Sequence, residues 1–144
     1  MKTIYTPDAP EAVGPYSQAI ISGGTLYTSG QIPLDPSTGN MVMGGIEEQA
    51  TRVMENLGAV LRAGNSDFRN AVKVNCYLSD MALFADFNAV YARYFTTKPA
   101  RSCVAVKELP KGALVEVEVI AETNDAHLMK LSAEKANAGR VTKL

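Results

Sequence analysis

From Val115 to Val119 valine and glutamate alternate without a break. A chain with this two-residue period can bury its valines and wet its glutamates only as a β-strand with one packed face and one solvated face. Just upstream lies Pro99 to Val106, PARSCVAV, separated from it by LPKG (Leu109 to Gly112), a turn short enough for a hairpin loop. Arg101 and Cys103 then share one face of the first strand, and Glu116 and Glu118 one face of the second. With Cys103 opposite Glu118, Glu116 is the diagonal neighbour, and arginine, thiol and carboxylate meet on one face of the hairpin. A slip of one residue would turn Glu116 away. A guanidinium is a planar fork that grips a carboxylate through two parallel hydrogen bonds, which suits small organic acids. A partly buried glutamate beside it could move a proton to or from water. The same alternation also describes an ordinary half-buried strand.

The flanking chain supplies the layers around that strand. Lys2 to Thr6 predicts an edge strand stopped by Pro7 and Pro10, and Gly14-Pro15 a turn. Ser17 to Ile21 and Leu26 to Ser29 predict a hairpin closed by Ser22-Gly23-Gly24-Thr25, with Gly30 ending the second strand where a ligand or backbone could come close. Asp35-Pro36-Ser37-Thr38-Gly39 is a surface turn. From Ile46 the period lengthens. Ile46, Ala50, Val53, Met54, Leu57, Val60 and Leu61 form the stripe of an amphipathic helix closed by Gly64-Asn65, with Glu47, Glu48, Arg52, Glu55 and Arg62 mostly solvated. Ala71 to Leu78 alternates as a strand with Val72, Val74, Cys76 and Leu78 on the core face. After the Ser79-Asp80 cap, Leu83, Phe84, Phe87, Val90, Tyr91, Tyr94 and Phe95 give a second, aromatic helix. Asn88 lies inside it, where asparagine has poor propensity, and its pattern favours water over a neighbouring loop.

The predicted order is strand, hairpin, helix, strand, helix, hairpin: an α+β sandwich with two helices on one face of a mixed sheet. The cheapest cover for the other face is a second copy of that sheet, so a homo-oligomer is expected. Residues 1–122 read as one domain, as a chain of 144 residues allows, and 123–144 as an extension, weakly helical and then frayed.

Composition narrows the chemistry. A net charge of −1 gives no electrostatic footprint for a nucleic-acid backbone. His127 is the sole histidine, so mechanisms needing a histidine pair and histidine-rich metal sites are excluded within one chain. Cys76 and Cys103 have no zinc-like spacing, and Cys76 reads as a structural core thiol. With no apolar run of spanning length and no leader-like N-terminus, a reduced, cytoplasmic protein is expected.

Five ordered segments carry a resemblance: GPYSQA (Gly14 to Ala19), SGQIPLDPSTG (Ser29 to Gly39), NLGAVLRAGN (Asn56 to Asn65), FNAVYARYF (Phe87 to Phe95) and PARSCVAV (Pro99 to Val106). Together, over the chain to about Ala121, they resemble the RidA/YjgF family of reactive-intermediate (enamine/imine) deaminases, some of which carry the label endoribonuclease L-PSP. The resemblance implies a chorismate-mutase-like (YjgF-like) fold and a trimer whose sheets form an inner barrel with sites between subunits. It implies hydrolysis of 2-imino acids such as 2-iminobutanoate and 2-iminopropanoate to 2-keto acids and ammonia, with no cofactor and no metal.

By matching position, the resemblance makes Arg101 the clamp for the substrate carboxylate and Glu116 the holder of the attacking water. Cys103 contributes its main chain near the imine nitrogen. Tyr16 and Ser17 come from GPYSQA, with the Tyr16 ring as a pocket wall. Ser29 and Gly30 line the cleft, and Asn88 faces the pocket, against its bland reading above. Two features depart from the family pattern: a short link, Thr96-Thr97-Lys98, which changes the pocket rim, and a longer tail past Glu122, which could cap a neighbouring subunit or be disordered. Rival readings are a non-catalytic sensor of small 2-keto or amino acids, the ribonuclease of the alternative label, and a structural trimer in which Arg101 and Glu116 form an interface ion pair.

Overall fold

The computed structural model describes residues 1–141. Six strands form one mixed sheet: β1 (Lys2–Ile4), β2 (Ala19–Ser22), β3 (Thr25–Thr28), β4 (Ala71–Leu78), β5 (Ala100–Ala105) and β6 (Val115–Glu122), in the order β1-β2-β3-β6-β4-β5. Helices α1 (Ile46–Ala63) and α2 (Phe84–Tyr94) cover one face, which gives the two-layer α+β architecture expected. The predicted stripe of α1 is buried in full, from Ile46 to Leu61. Phe87, Val90, Tyr91 and Phe95 fill the core beneath α2. Asp80 accepts a hydrogen bond from the Ala82 N–H at 2.8 Å and caps a short 3-10 turn, Met81–Leu83, that leads into α2.

On β6 the alternation behaves as its period demands: Val115, Val117, Val119 and Ala121 are buried, while Glu116, Glu118 and Ile120 face the other way and are half-buried. Its neighbours, however, are β3 and β4, and not β5. The expected hairpin of PARSCVAV with VEVEV does not form. Instead β4, α2 and β5 make a β-α-β unit with β5 parallel to β4, and residues 106–114 carry the chain over the end of β4 before β6 returns antiparallel on its far side. Both ladders close at Leu78, which pairs with Ala105 on one side and Val115 on the other. A short turn between two alternating runs signals a hairpin only if no third strand claims the space between them, and β4, being apolar on its core face, is drawn to the centre.

Strand β4 carries a second correction. Val72 does not share the core face with Val74, Cys76 and Leu78 but is 48% exposed. Ala71 pairs with Ala121 and Lys73 with Ile120, so Val72 is the extra residue of a bulge and falls out of the alternation.

The segment between β3 and α1 is held by buried polar groups. Gln31 exchanges two backbone hydrogen bonds with Val117, at 2.9 and 3.1 Å. Asn56, fully buried in α1, donates to the carbonyls of Ile32 (3.3 Å) and Leu34 (3.0 Å) and accepts from Arg52 Nε (3.1 Å). Gln18 does the same for the N-terminal segment: its amide takes the Thr6 N–H and reaches the carbonyls of Thr6, Ala9 and Pro10. Gly64, just past α1, is needed for space, because a Cβ there would overlap Leu26.

A third helix, α3 (Asn124–Val141), follows β6. Its start is pinned: Asn124 bonds Asn65 and Asn70, Asp125 accepts from Asn65, and Lys130 reaches Glu122 at 2.8 Å. From Leu128 to Arg140 every side chain is exposed. The expected fraying concerns in part residues 142–144, which lie outside the described residues. Among the described residues no helix is long and apolar enough to cross a membrane.

The Asn56 amide makes a stability prediction. Asn56→Ala leaves the partly buried Leu34 carbonyl without its donor, while the Ile32 carbonyl keeps the Leu34 N–H at 2.8 Å, and such an orphan costs about 1–3 kcal/mol. Urea denaturation should show a loss of that size at unchanged m-value, and an unaltered midpoint would mean that water replaces the amide.

Candidate functional site

The register of the two ladders that share β4 decides where the candidate groups point. Arg101 pairs with Val74, which pairs with Val119; Cys103 pairs with Cys76, which pairs with Val117. Paired residues in a sheet project to the same side, so Arg101 and Cys103 lie on the valine face, under α2. Glu116 pairs with Tyr77 and Glu118 with Asn75, on the opposite face. Within one chain the guanidinium and the carboxylates are therefore separated by the sheet. The single-face cluster expected from the hairpin is not built, because its assumed neighbours are two strands apart and opposite in phase. Arg101 and Glu116 do not form an ion pair within the protomer.

Two cavities result. The first, of about 460 Å³, is lined by Asn88, Tyr91, Ala92 and Phe95 of α2 and its end, by Thr96, Lys98 and Pro99 of the linker, and by Arg101. Arg101 is fixed from two sides: Nη1 donates to Asn88 Oδ1 at 2.6 Å, and Cζ lies 4.6 Å from the centroid of the Tyr91 ring and 5.6 Å from that of Phe84. These contacts orient the fork without neutralising it. Asn88 therefore turns to the arginine and away from bulk water, which helix propensity alone did not indicate. The Tyr91 hydroxyl is buried and meets no hydrogen-bond partner among the described residues. Burial, first, and the neighbouring Cys76 push its pKa up to about 12, so it remains a neutral donor.

The second cavity, of about 580 Å³, opens on the other face and is lined by Tyr16, Thr28, Ser29, Gly30, Ile32, Pro110, Glu116 and Glu118. Four of the residues singled out from the sequence meet here: Tyr16, Ser29, Gly30 and Glu116. A Cβ at Gly30 would stand 2.8 Å from Glu116 Cδ, so a side chain there would displace the carboxylate. Ser29 Oγ donates to the Ser17 carbonyl at 2.5 Å, which ties the GPYSQA segment to the end of β3. Ser17 and Cys103 line neither cavity. Cys103 is half-buried beside Cys76; burial raises both thiols, Cys76 to about 12, so neither is an activated nucleophile, and a role for Cys103 falls to its main chain.

The two glutamates differ in their surroundings. Glu118 Oε1 accepts from Tyr77 Oη at 2.7 Å and from Asn75 Nδ2 at 3.1 Å. Glu116 accepts no hydrogen bond from a described residue, and burial, then the Glu118 charge, raise its pKa above the usual carboxylate value. One carboxylate is thus held by two hydrogen bonds, and its neighbour is a group that takes a proton more readily. The sequence assigns a site role to Glu116 but none to Glu118, Tyr91 or Lys98. The alternation placed Glu118 beside Glu116 without showing that Tyr77 and Asn75 would hold it. Tyr91, four residues before Phe95 in the apolar stripe, carries no sequence mark that separates it from core filling.

Residues 6–123 match the family model described as endoribonuclease L-PSP. Over 121 residues the chain is 47% identical to the 2-iminobutanoate/2-iminopropanoate deaminase of Mus musculus, which covers 83% of this chain and 90% of that protein. It is 50% identical over 123 residues to AldR of Lactococcus lactis, named as a regulator, across 85% of this chain and 98% of that one. The crystal structure of E. coli TdcF with bound serine superposes with a TM-score of 0.81 at 37% identity, covering 86% of this chain and all of TdcF.

The raised pKa of Glu116 has a stability consequence. A carboxylate that binds its proton more tightly when folded makes the fold less stable as pH rises from 4.5, its ordinary value, through the higher folded value. Glu116→Gln removes that penalty. Its Tm should exceed that of the unaltered protein at pH 7 and converge with it below pH 4.5, and a Tm gain that is flat across this range would show that ionisation of Glu116 costs nothing.

Proposed function

The chain belongs to the endoribonuclease L-PSP family, also known as YjgF/RidA, and on that footing we propose that it hydrolyses reactive 2-imino and enamino acids, 2-iminobutanoate and 2-iminopropanoate among them. The products are the 2-keto acids and ammonia. The observation that carries the reading is the division of the chemistry between two faces: an oriented, unneutralised guanidinium over one cavity and a proton-accepting carboxylate in the other. Neither half suffices alone. The reading therefore includes an assembly, taken to be a trimer, in which the Arg101 cavity of one protomer closes against the Glu116 cavity of the next.

In that closed site Arg101 takes the substrate carboxylate through the N–H groups not used by Asn88, and so sets the imine carbon at a fixed height above the sheet. Glu116 accepts a proton from water as the water oxygen bonds to that carbon and the C=N electron pair moves to nitrogen. Glu116 passes that proton to the nitrogen to give the carbinolamine, then takes the hydroxyl proton and delivers it to the nitrogen as C–N breaks, so that ammonia leaves, C=O forms and the carboxylate is restored. Burial that raises the Glu116 pKa brings it closer to neutral pH, where a general base works best. The Tyr16 ring and the close approach at Gly30 shape the wall beside Glu116. Imino acids already hydrolyse in water, so orientation and charge placement account for the modest acceleration needed.

A second reading, favoured by the regulator name of the Lactococcus relative, is a binder of the same small acids without turnover. Tight 2-oxobutanoate binding with no change in imine lifetime would select it.

The test is clearance of semicarbazide-trappable imine released beside an amino-acid dehydratase. Arg101→Ala and Glu116→Gln should each lose clearance to near the spontaneous rate. Because the proposed site draws one residue from each protomer, unfolding and co-refolding the two variants together should restore about a quarter of the sites by random assortment in a symmetric ring. Full clearance by Arg101→Ala would remove the proposed clamp, and a mixture as inactive as its parts would place both residues in one protomer's site or in none.

A further inference from the structure

The Arg101 cavity holds a second cation that the proposed reaction does not use. Lys98 lines it together with Arg101, and among the described residues no aspartate or glutamate lines it and neither cation is paired with a carboxylate. Lys98 is also held in the left-handed backbone region, at φ 55, one residue before Pro99. A lysine without strain would sit elsewhere, and backbone outliers that persist at a cavity rim mark positions the surrounding structure imposes. Here the imposition follows from the short passage out of α2: Phe95 is buried and Pro99 starts the run into β5, so Thr96, Thr97 and Lys98 must turn the chain within three residues.

Resting on the deaminase reading, we propose that this site takes 2-imino and 2-keto acids that bear a second, distal carboxylate, with Arg101 holding the carboxylate next to the reacting carbon and Lys98 the far one. The division suits the two groups. Arg101 is oriented by Asn88 and the Tyr91 ring, as a planar two-point grip requires, whereas Lys98 stands exposed at the mouth on a flexible stem, as a point charge meeting a variable chain end. The cavity, at about 460 Å³, is within the range of small-molecule pockets and exceeds what a four-carbon acid fills. The glutamates of the facing cavity reinforce the orientation: Glu116 and Glu118 repel a distal carboxylate turned toward them and leave the Lys98 side as the favourable one. The class of reaction that would feed such a site is two-electron oxidation at the α-carbon of an acidic amino acid, or β-elimination from one that carries a β leaving group.

The experiment is calorimetric titration of the full chain with 2-oxoglutarate and with 2-oxopentanoate, which has the same keto-acid end and a methyl in place of the distal charge. The unaltered protein should prefer 2-oxoglutarate by about tenfold or more, the worth of one charge-assisted contact. The preference should shrink with added salt and fall below about twofold in Lys98→Met, while Lys98→Arg keeps it. A ratio near one in the unaltered protein overturns the proposal, as does a preference that survives Lys98→Met. Equal weakening of both acids together with loss of assembly would assign Lys98 to a contact between protomers and also overturn it. Imine clearance from a neutral amino acid, measured in parallel, separates the two readings: clearance with a ratio near one defeats only the dicarboxylate inference, whereas no clearance and no binding of either acid defeats the deaminase reading with it.

Discussion

The placement of β4 between β5 and β6 is the constraint from which the rest of the site follows. One strand pairs parallel with β5 and antiparallel with β6, and its register sends Val74 and Cys76 to the core side and Asn75 and Tyr77 to the other. Arg101 inherits the first side and Glu116 the second. No rotamer change can bring them together, because a backbone sheet lies between them. On the proposed reading, which places a cation and a base on one substrate, a second copy completes the site, and the same geometry leaves a sheet face and an edge strand uncovered. On that reading chemistry and association stem from one ladder.

Around that ladder the polar groups do the positioning. Asn88 and the Tyr91 ring hold Arg101 without cancelling its charge, whereas Tyr77 and Asn75 hold the Glu118 side chain in place beside Glu116, whose proton affinity is raised by burial first and then by that neighbour. The main chain at Gly30 passes close beside Glu116, where a Cβ would push the carboxylate aside, and the bridge of Gln31 to Val117 with the bonds of Asn56 to Ile32 and Leu34 fixes the segment that follows. The start of α3 lies at the Glu122 end of β6, six residues and, at the usual rise of about 3.3 Å per residue, some ~20 Å along the strand from Glu116. Within a protomer, therefore, the extension begins away from the carboxylate half of the site.

Much of this was legible in the chain. The period of α1, the aromatic stripe of α2, the β2-β3 turn at Gly23-Gly24, the Asp35 turn and the full extent of Ala71–Leu78 all come from local rules, since a helix or strand buries whatever its own period presents to one side. Strand ends shifted by one or two residues, as for Ala19–Ser22 against a start expected at Ser17. Val72 was misplaced because a bulge breaks the period without a sequence mark of its own. Ordered motifs also pointed to Tyr16, Ser29, Gly30 and Glu116, which share one cavity, and to Asn88 and Arg101, which share another.

By itself, then, the amino-acid sequence determined which residues lie in strands and helices and, through the alternation of VEVEV, that Glu116 and Glu118 share a face opposite the valines. It could not determine which strands are neighbours. Pairing between strands far apart in the chain depends on which apolar face wins the centre of the sheet, a competition among all strands at once. Only the tertiary structure decided that β4 stands between β5 and β6, and with it that the guanidinium and the carboxylate look out from opposite sides of one sheet.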